Sequence, residues 1–222
     1  MGPDGLDRIV GVVGVTSRSF VTQVLRLYAE RTPFVILKSP AAANTLPGPP
    51  IGRIIHPERD TGWLSFSPQG FDHDDAPAQV TLTSGTEGAP KPMVLSHRAL
   101  TDVVTRLIDA MSLDADLREY VGVPASYSFG LGRFRACAAV GGRAFVPAGG
   151  FNPAEIASML RAGEINAVSA VPTLWRMLLA HPDLFKGAAG AMRWIEIGSQ
   201  HMSAREKRDL RSLFPNARIV QH

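Results

Sequence analysis

The sequence has little cysteine, little excess charge and no long apolar run. Its single cysteine, Cys137, cannot form an internal disulfide, so we expect a buried thiol in a cytoplasmic protein. Lys and Arg number 23 against 20 Asp and Glu, and without a basic stripe we expect no nucleic-acid partner. No apolar run approaches the roughly 18 residues that cross a bilayer, so we expect no membrane span.

The pattern of apolar residues predicts the fold class. Apolar runs of strand length alternate with longer stretches of helical period, which predicts an α/β fold with mostly parallel sheets flanked by helices. We place an opening α/β segment with short strands at residues 1–75, including a Pro-rich loop without regular structure over residues 39–50. A second α/β subdomain is placed at residues 76–222. It ends on a strand, and because ligands gather at the carboxyl ends of parallel strands, we expect part of the site to be missing.

A stretch rich in glycine and hydroxyls follows the strand predicted over residues 79–83. It consists of Thr83, Ser84, Gly85, Thr86, Glu87, Gly88, Ala89, Pro90 and Lys91, and we call it the phosphate loop. Glycines let backbone amides approach an anion, hydroxyls donate to phosphate oxygens, and a lysine supplies positive charge. A helix capped by Ser96 is expected next, but an extended stretch over residues 91–94 would move its N-terminus away from the phosphates. The composition predicts a polyphosphate site.

Two other interpretations of the phosphate loop stay open at this point. Short glycine motifs are common, so an ordinary strand-to-helix turn with accidental hydroxyls also fits its composition. A Walker-type loop requires Gly-Lys followed by Ser or Thr, whereas Lys91 lies between Pro90 and Pro92. The sequence therefore indicates a different kind of phosphate loop or none.

The motif Thr-Ser-Gly-Thr-x-Gly-x-Pro-Lys resembles the phosphate-loop signature of the adenylate-forming (AMP-binding) superfamily. This superfamily includes acyl-CoA synthetases, acyl-AMP ligases and adenylation domains. Seven specified positions agree without a gap, and residues 96–100 resemble the helix start that follows the loop in this family. The resemblance implies that ATP, with Mg²⁺, is held by phosphate-binding residues, which are Thr83, Ser84, Gly85, Thr86, Glu87, Gly88 and Lys91.

Two later segments are similar to other sites of the same superfamily. Residues 124–131 resemble a Pro-x-x-His-x-aromatic-Gly segment, with Tyr127 where the histidine is usual. This resemblance implies that an acid segment borders the carboxylic acid, formed by Tyr127, Ser128, Phe129 and Gly130. Residues 171–174 resemble a Val-Pro-Thr helix start. A turn near adenine, which we call the adenine turn, is implied at Gly198, Ser199 and Gln200.

Each of these residues also has an ordinary structural interpretation. Tyr127 and Phe129 fit core aromatics, because aromatic pairs fill cores more often than substrate pockets. His97 fits a polar residue at a helix start, and Gly198 fits a glycine that ends a strand. The sequence alone does not choose between these interpretations.

The chain departs from the superfamily pattern in three ways. Glu87 stands where Thr or Ser is commoner, and Pro92 replaces the usual glycine after the lysine. The 222 residues also contain no Tyr-Gly-x-Thr-Glu segment and no C-terminal domain with its catalytic lysine. We therefore expect no complete catalytic set in this chain and no turnover by the chain alone.

The leading hypothesis is the N-terminal part of an ATP-dependent, AMP-forming, acid-activating enzyme. Its partners would be ATP, a carboxylic acid, an acceptor such as coenzyme A or a carrier-protein thiol, and the missing C-terminal portion or a complementing chain. A degenerate, non-catalytic relative that serves as a binding or assembly partner is the alternative. A nucleotide-binding α/β domain unrelated to adenylation is the third hypothesis.

Overall fold

Two mostly parallel sheets flanked by helices form the protein, as the sequence predicts. The computed structural model describes residue 6 and residues 9–83 and 91–221. Two compact packing units are present, the first comprising residues 1–60 and 70–105 and the second residues 61–69 and 106–222. The domain boundary expected at residues 75 and 76 stays a prediction.

The described strands and helices are short and follow one another closely along the chain. The strands are β1 Ile9–Val13, β2 Phe34–Leu37, β3 Ile51–Ile55, β4 Gly62–Ser65, β5 Pro77–Thr83, β6 Lys91–Ser96, β7 Arg118–Val121, β8 Arg143–Val146, β9 Ala167–Ala170, β10 Trp194–Ile197 and β11 Arg218–Gln221. The α-helices are α1 Arg18–Ala29, α2 His97–Met111, α3 Ser128–Val140, α4 Pro153–Arg161, α5 Pro172–Leu179 and α6 Ala204–Leu213. Short 3₁₀ helices lie at Pro40–Asn44, Pro182–Phe185 and Ala189–Ala191.

The sheet of the first unit has the order β3-β1-β2-β5-β6. Its strands are parallel except β6, which pairs antiparallel with β5. Helix α1 connects β1 to β2, and it begins where the Ser17 hydroxyl accepts a hydrogen bond from the Phe20 amide at 3.1 Å. Buried apolar side chains along one face of α1 then pack it into the unit.

The structure extends two of the sequence predictions and corrects a third. Residues 91–96 form a strand, so the phosphate loop joins the two strands of an antiparallel hairpin and does not lead directly into a helix. The Ser96 hydroxyl accepts from the Ala99 amide at 3.2 Å, which confirms Ser96 as the cap of α2. The loop over residues 39–50 is not wholly irregular, because Pro40–Asn44 forms a 3₁₀ helix.

The second unit is built on a six-stranded sheet of order β11-β10-β9-β7-β8-β4. Strands β7 to β11 are parallel, and β4 pairs antiparallel with the edge of β8. The chain passes from β7 to β8 on one side and then returns to place β9 on the other side of β7. The order of strands therefore reverses between β7 and β9, and at such a point the carboxyl ends of parallel strands leave a crevice for ligands.

Local signals at the helix ends explain where the helices of the second unit begin and end. Asn152 caps α4 by accepting from the amides of Ala154 and Glu155. Proline occupies the first position of α4 and of α5, where its missing N–H has no partner to lose. Helix α3 ends at Gly141, whose φ of 74° lies in the left-handed region that glycine adopts without strain.

The core of the second unit is aromatic and aliphatic, with Trp175 fully buried near its centre. The Trp175 indole Nε1 donates to the carbonyls of Ala170 and Glu196 at 3.0 and 3.2 Å, which satisfies its one polar atom. Among the helices that the structure describes, none is long and apolar enough to span a bilayer.

Candidate functional site

The crevice of the second unit begins at the carboxyl end of β7. The amide of Gly122, directly after β7, donates to the Ser169 carbonyl of β9 at 3.0 Å. The Phe151 ring covers Gly122 so closely that a Cβ there would lie 2.5 Å from the ring Cδ2. A side chain at position 122 would therefore displace the Phe151 ring and crowd the Ser169 carbonyl.

The acid segment predicted from the sequence follows β7 and begins α3. Ser128 is the first residue of the helix, and Tyr127 is 66% exposed, which excludes the core interpretation for this side chain. Gly130 is buried against the Pro124 carbonyl, which leaves no room for a side chain. Phe129 is partly buried and turns toward the sheet. The segment therefore offers an exposed phenol and a ring edge at the carboxyl end of the sheet.

The adenine turn lies at the carboxyl end of β10, where it meets the acid segment. A Cβ at Gly198 would lie 2.6 Å from Cε1 and 2.7 Å from Cζ of the Phe129 ring. Gly198 thus follows the end of a strand, in agreement with its ordinary structural interpretation. Because it has no side chain, the Phe129 ring also packs directly against its backbone. The structure brings together two segments that were predicted from separate motifs.

The rest of the adenine turn has a strained backbone and an exposed surface. Ser199 has a φ of 72°, which costs a residue with a side chain about 1–2 kcal/mol. The Gln200 amide donates to the Gly198 carbonyl at 3.0 Å, and Gln221 Nε2 donates to the Gln200 carbonyl at 2.8 Å. Both Ser199 and Gln200 are exposed. These hydrogen bonds hold the turn in one conformation with its polar atoms toward solvent.

Most of the phosphate loop lies outside the described residues, namely Ser84, Gly85, Thr86, Glu87, Gly88, Ala89 and Pro90. Thr83 is the last residue of β5 and lies in register with Lys91, the exposed first residue of β6. Pro92 is exposed and lies opposite Leu82 on β6, which is the edge strand of its sheet. Proline is tolerated on an edge strand, so Pro92 is compatible with the hairpin.

We tested whether the described residues fit a magnesium ion. No group of three or more His, Cys, Asp or Glu side chains suited to a metal is found in residues 9–83 and 91–221. No described residue is therefore assigned to Mg²⁺. Lys91 is the one predicted phosphate ligand whose side chain is described, and the residue is exposed.

His97 has a structural position in the first unit. It is 1% exposed at the start of α2, and its amide donates to the Ala76 carbonyl at 3.0 Å. Its ring centroid lies 4.6 Å from that of Tyr28. Packing of this kind agrees with the interpretation of His97 as a residue that anchors the helix start.

Sequence reasoning missed a cluster of buried charges beneath the crevice. Glu119 of β7, Arg133 of α3 and Glu196 of β10 are each fully buried. Arg133 donates from Nε and Nη2 to the two carboxylate oxygens of Glu119 at 2.8 and 2.9 Å. Its Nη1 lies 2.7 Å from Oε2 of Glu196. We call these three residues the buried triad; the signal in the sequence was the charged residues within three short elements that otherwise carry mainly apolar side chains, Arg118 and Glu119 in β7, Arg133 and Arg135 in α3, and Glu196 in β10.

Two further groups donate to the carboxylates of the buried triad. Ser169 Oγ donates to Glu196 Oε2 at 3.2 Å, and Cys137 Sγ donates to Glu119 Oε2 at 3.3 Å. Burial raises the pKa of the Cys137 thiol well above its ordinary range, which confirms the expectation of an inert, buried cysteine. Burial alone would lower the pKa of Arg133, but the two facing carboxylates raise it above its ordinary value.

Comparison with known proteins supports the fold described above. A family model described as AMP-binding enzyme matches residues 21–222. The solved malonyl-CoA ligase, a ternary product complex with methylmalonyl-CoA and AMP, has a TM-score of 0.73 at 20% identity, over 95% of this chain and 51% of its own. The structure of CmiS6 has a TM-score of 0.70 at 25% identity, over 99% of this chain and 58% of its own. These likenesses confirm the predicted fold.

Among curated sequences, the feruloyl-CoA synthase of an Amycolatopsis species is 23% identical over 172 residues. The match covers 77% of this chain and 35% of the synthase. The chain thus spans about half the length of the two solved relatives and about a third of the curated one.

Proposed function

Because this chain belongs to the AMP-binding enzyme family, we propose that it is the N-terminal part of an enzyme that activates a carboxylic acid with ATP. In this reaction a carboxylate oxygen attacks the α-phosphorus of ATP, the bond to the β-phosphate oxygen breaks, and acyl-AMP and pyrophosphate form. An acceptor thiol, from coenzyme A or a carrier protein, then attacks the acyl carbon, loses its proton, and releases AMP.

The contact between Phe129 and Gly198 carries this proposal. Adenylation needs the acid and the nucleotide side by side, because the rate depends on holding the reacting atoms close together. The acid segment and the adenine turn meet at this contact, with a Cβ at position 198 only 2.6 Å from the ring. The acid segment lies at the start of α3, which follows β7, and the adenine turn directly follows β10, at the carboxyl ends of the strands where ligands of parallel sheets gather.

We assign roles to the residues as follows. The acid segment, Tyr127, Ser128, Phe129 and Gly130, borders the acid, with the exposed Tyr127 phenol as a donor near the carboxylate. The adenine turn, Gly198, Ser199 and Gln200, lies beside the base. The phosphate loop holds the β- and γ-phosphates, with the Lys91 ammonium as a point charge. Mg²⁺ would supply further positive charge to the phosphates, as it does in other nucleotide enzymes.

The relatives' names differ in the acid that they contain, so several classes of carboxylic acid are candidate substrates. We place the reaction in the cytoplasm, where the free thiol of Cys137 stays reduced.

The exchange of labelled pyrophosphate into ATP tests the proposal. The assay would use a panel of aryl, short-chain and dicarboxylic acids, with the 222-residue chain alone and with the full-length protein that the organism makes. We expect the full-length protein to show exchange that depends on one class of acid, and the chain alone to show none. ATP binding without exchange for any acid would favour the non-catalytic relative, and absence of both would contradict the proposal.

A further inference from the structure

The buried triad lies next to the contact between the acid segment and the adenine turn, farther from the carboxyl ends of the strands. Arg133 follows Phe129 by four residues on α3, and Glu196 precedes Gly198 by two residues on β10. Residues four apart share a face of a helix, and residues two apart share a face of a strand. Arg133 with Glu196 and Phe129 with Gly198 therefore form two consecutive contacts between the same helix and the same strand.

The spacing of these two contacts matches on both elements. One helical turn advances about 5.4 Å and two strand residues about 6.6 Å, so the ion pair and the ring contact run side by side along α3 and β10. The ion pair is 2.7 Å long, and the ring contact leaves no room for a Cβ at position 198. A shift of α3 along the sheet would break both contacts together.

Glu119 fixes the orientation of the guanidinium. Its two carboxylate oxygens accept from Nε and Nη2 of Arg133, so the planar group has one orientation and Nη1 points at Glu196. Ser169 of β9 donates to the same oxygen of Glu196. The triad thus ties α3 to β7 and β10, the two strands that carry the acid segment and the adenine turn.

Stability alone does not explain a buried triad of this kind. Replacing buried ion pairs with well-packed apolar residues is often neutral or stabilising, because burying charge is costly. Apolar packing, however, tolerates small shifts of a helix, whereas a two-pronged ion pair has one geometry. We propose that Glu119, Arg133 and Glu196 are positioning residues that set the position of α3 along the strands, and so place Phe129 against Gly198 beside the acid. This inference rests on the proposed function, which gives the reason why Phe129 has to be placed there.

A fluorine label on the Phe129 ring tests the placement without any substrate. 4-Fluorophenylalanine at position 129 gives one ¹⁹F resonance when the ring has one position. The decisive variant is Glu119→Leu with Arg133→Met and Glu196→Leu, which removes all three charges. We expect it to keep or raise the melting temperature of the labelled protein while the resonance shifts and broadens or splits. A sharp, unmoved resonance in the folded variant would overturn the proposal.

A second variant covers the case in which the triple variant does not fold. Glu196→Gln keeps the Arg133–Glu119 pair and removes one charge with almost no change of shape. We expect its ring resonance to move in the same direction by a smaller amount, and an unmoved resonance would again overturn the proposal. The matched control removes the exposed ion pair of Arg26 and Glu30 in the first unit, in which Nε and Oε1 lie 2.7 Å apart. This control should leave the resonance unchanged.

Kinetics of the full-length protein separate this inference from the proposed function. We expect the triple variant to raise KM for the acid and lower kcat for pyrophosphate exchange, together by about 10- to 100-fold, because small displacements near the reacting atoms are costly. A wild-type protein without exchange would contradict the proposed function, while the ¹⁹F result would still decide the placement. Unchanged kinetics in a folded triple variant would overturn the positioning role.

Discussion

The Phe129 ring lies so close to Gly198 that a Cβ at position 198 would be 2.6 Å from the ring Cε1. These two residues belong to separate motifs, one in the acid segment and one in the adenine turn. Under the proposed function, their contact sets how near the acid and the nucleotide come to each other.

Gly198→Ala should displace Phe129 and impair acid activation. The added methyl group needs the ring to move, and a displacement of about 1 Å near reacting atoms can cost 100-fold in rate. We expect pyrophosphate exchange to fall by about 10- to 100-fold while the protein stays folded by circular dichroism. Restoration of activity by the second change Phe129→Leu would support the steric cause, and full activity in Gly198→Ala would exclude it.

Gly132→Ala is the matched control for this substitution. Gly132 lies in α3, and a Cβ there would meet nothing within 4 Å. Because glycine is a poor helix former, we expect the free energy of unfolding to rise by about 0.5–1 kcal/mol, with exchange unchanged. Denaturation in urea measures the first quantity.

Lys91→Met should abolish most of the exchange and leave stability unaffected. Lys91 is exposed at the start of β6, so little packing is lost with its ammonium. Loss of one group that stabilises transition-state charge typically lowers kcat by about 100- to 1,000-fold. The control is Lys186→Met, whose side chain is 80% exposed and pairs with Asp183 at 2.6 Å. Equal exchange rates in the two variants would remove Lys91 from the phosphate site.

Arg133→Met alone should destabilise the protein strongly. It leaves the carboxylates of Glu119 and Glu196 buried without their cation, and breaking a buried pair in this way costs about 3–5 kcal/mol. Arg26→Met, which breaks an exposed pair, should cost less than about 1 kcal/mol. Urea denaturation of both variants measures the difference, and similar losses in the two would contradict the account of the buried triad.

Glu206 should make the start of α6 sensitive to acid. Its carboxylate accepts from Arg176 Nε and from the hydroxyl and amide of Ser203, and these bonds lower its pKa from 4.5 to about 2. Because the pKa of Glu206 is lower in the folded state, its carboxylate stabilises the fold at pH values above the unfolded-state pKa of 4.5. This contribution is lost as the pH falls from 4.5 toward 2. Glu206→Gln should therefore melt below the wild type at pH 7.

The pH dependence of that difference is the test. Melting temperatures measured across acid pH should converge between the wild type and Glu206→Gln as the carboxylate is protonated. A difference that stays constant down to the pKa of about 2 would show that charge on Glu206 is not its source.

Elements governed by local signals could be predicted from the sequence. Strands Phe34–Leu37 and Trp194–Ile197 have the bounds that their apolar runs predict, and α4 and α5 begin at the prolines that the sequence marks. Apolar runs between turn residues and proline at a first turn act over a few residues, so no tertiary information is needed. The same holds for the Ser96 cap.

Features that depend on distant residues could not be predicted. The sequence did not predict the pairing of β6 with β5. The run Lys91–Ser96 contains a proline, and it can form a strand because it lies at the edge of the sheet. The buried triad joins β7, α3 and β10, and the charges within these segments do not show in the sequence which residues pair with one another. The meeting of Phe129 and Gly198 likewise arises only when the sheet is assembled.

The origin of the oxygen in AMP tests the central claim most directly. The full-length protein would be incubated with ATP and an acid whose carboxylate carries two ¹⁸O atoms, and hydroxylamine would take the acyl group. Attack on the α-phosphorus predicts AMP that carries one ¹⁸O atom, detected by mass spectrometry, with unlabelled pyrophosphate. Label in inorganic phosphate beside ADP, or AMP without label, would contradict the account.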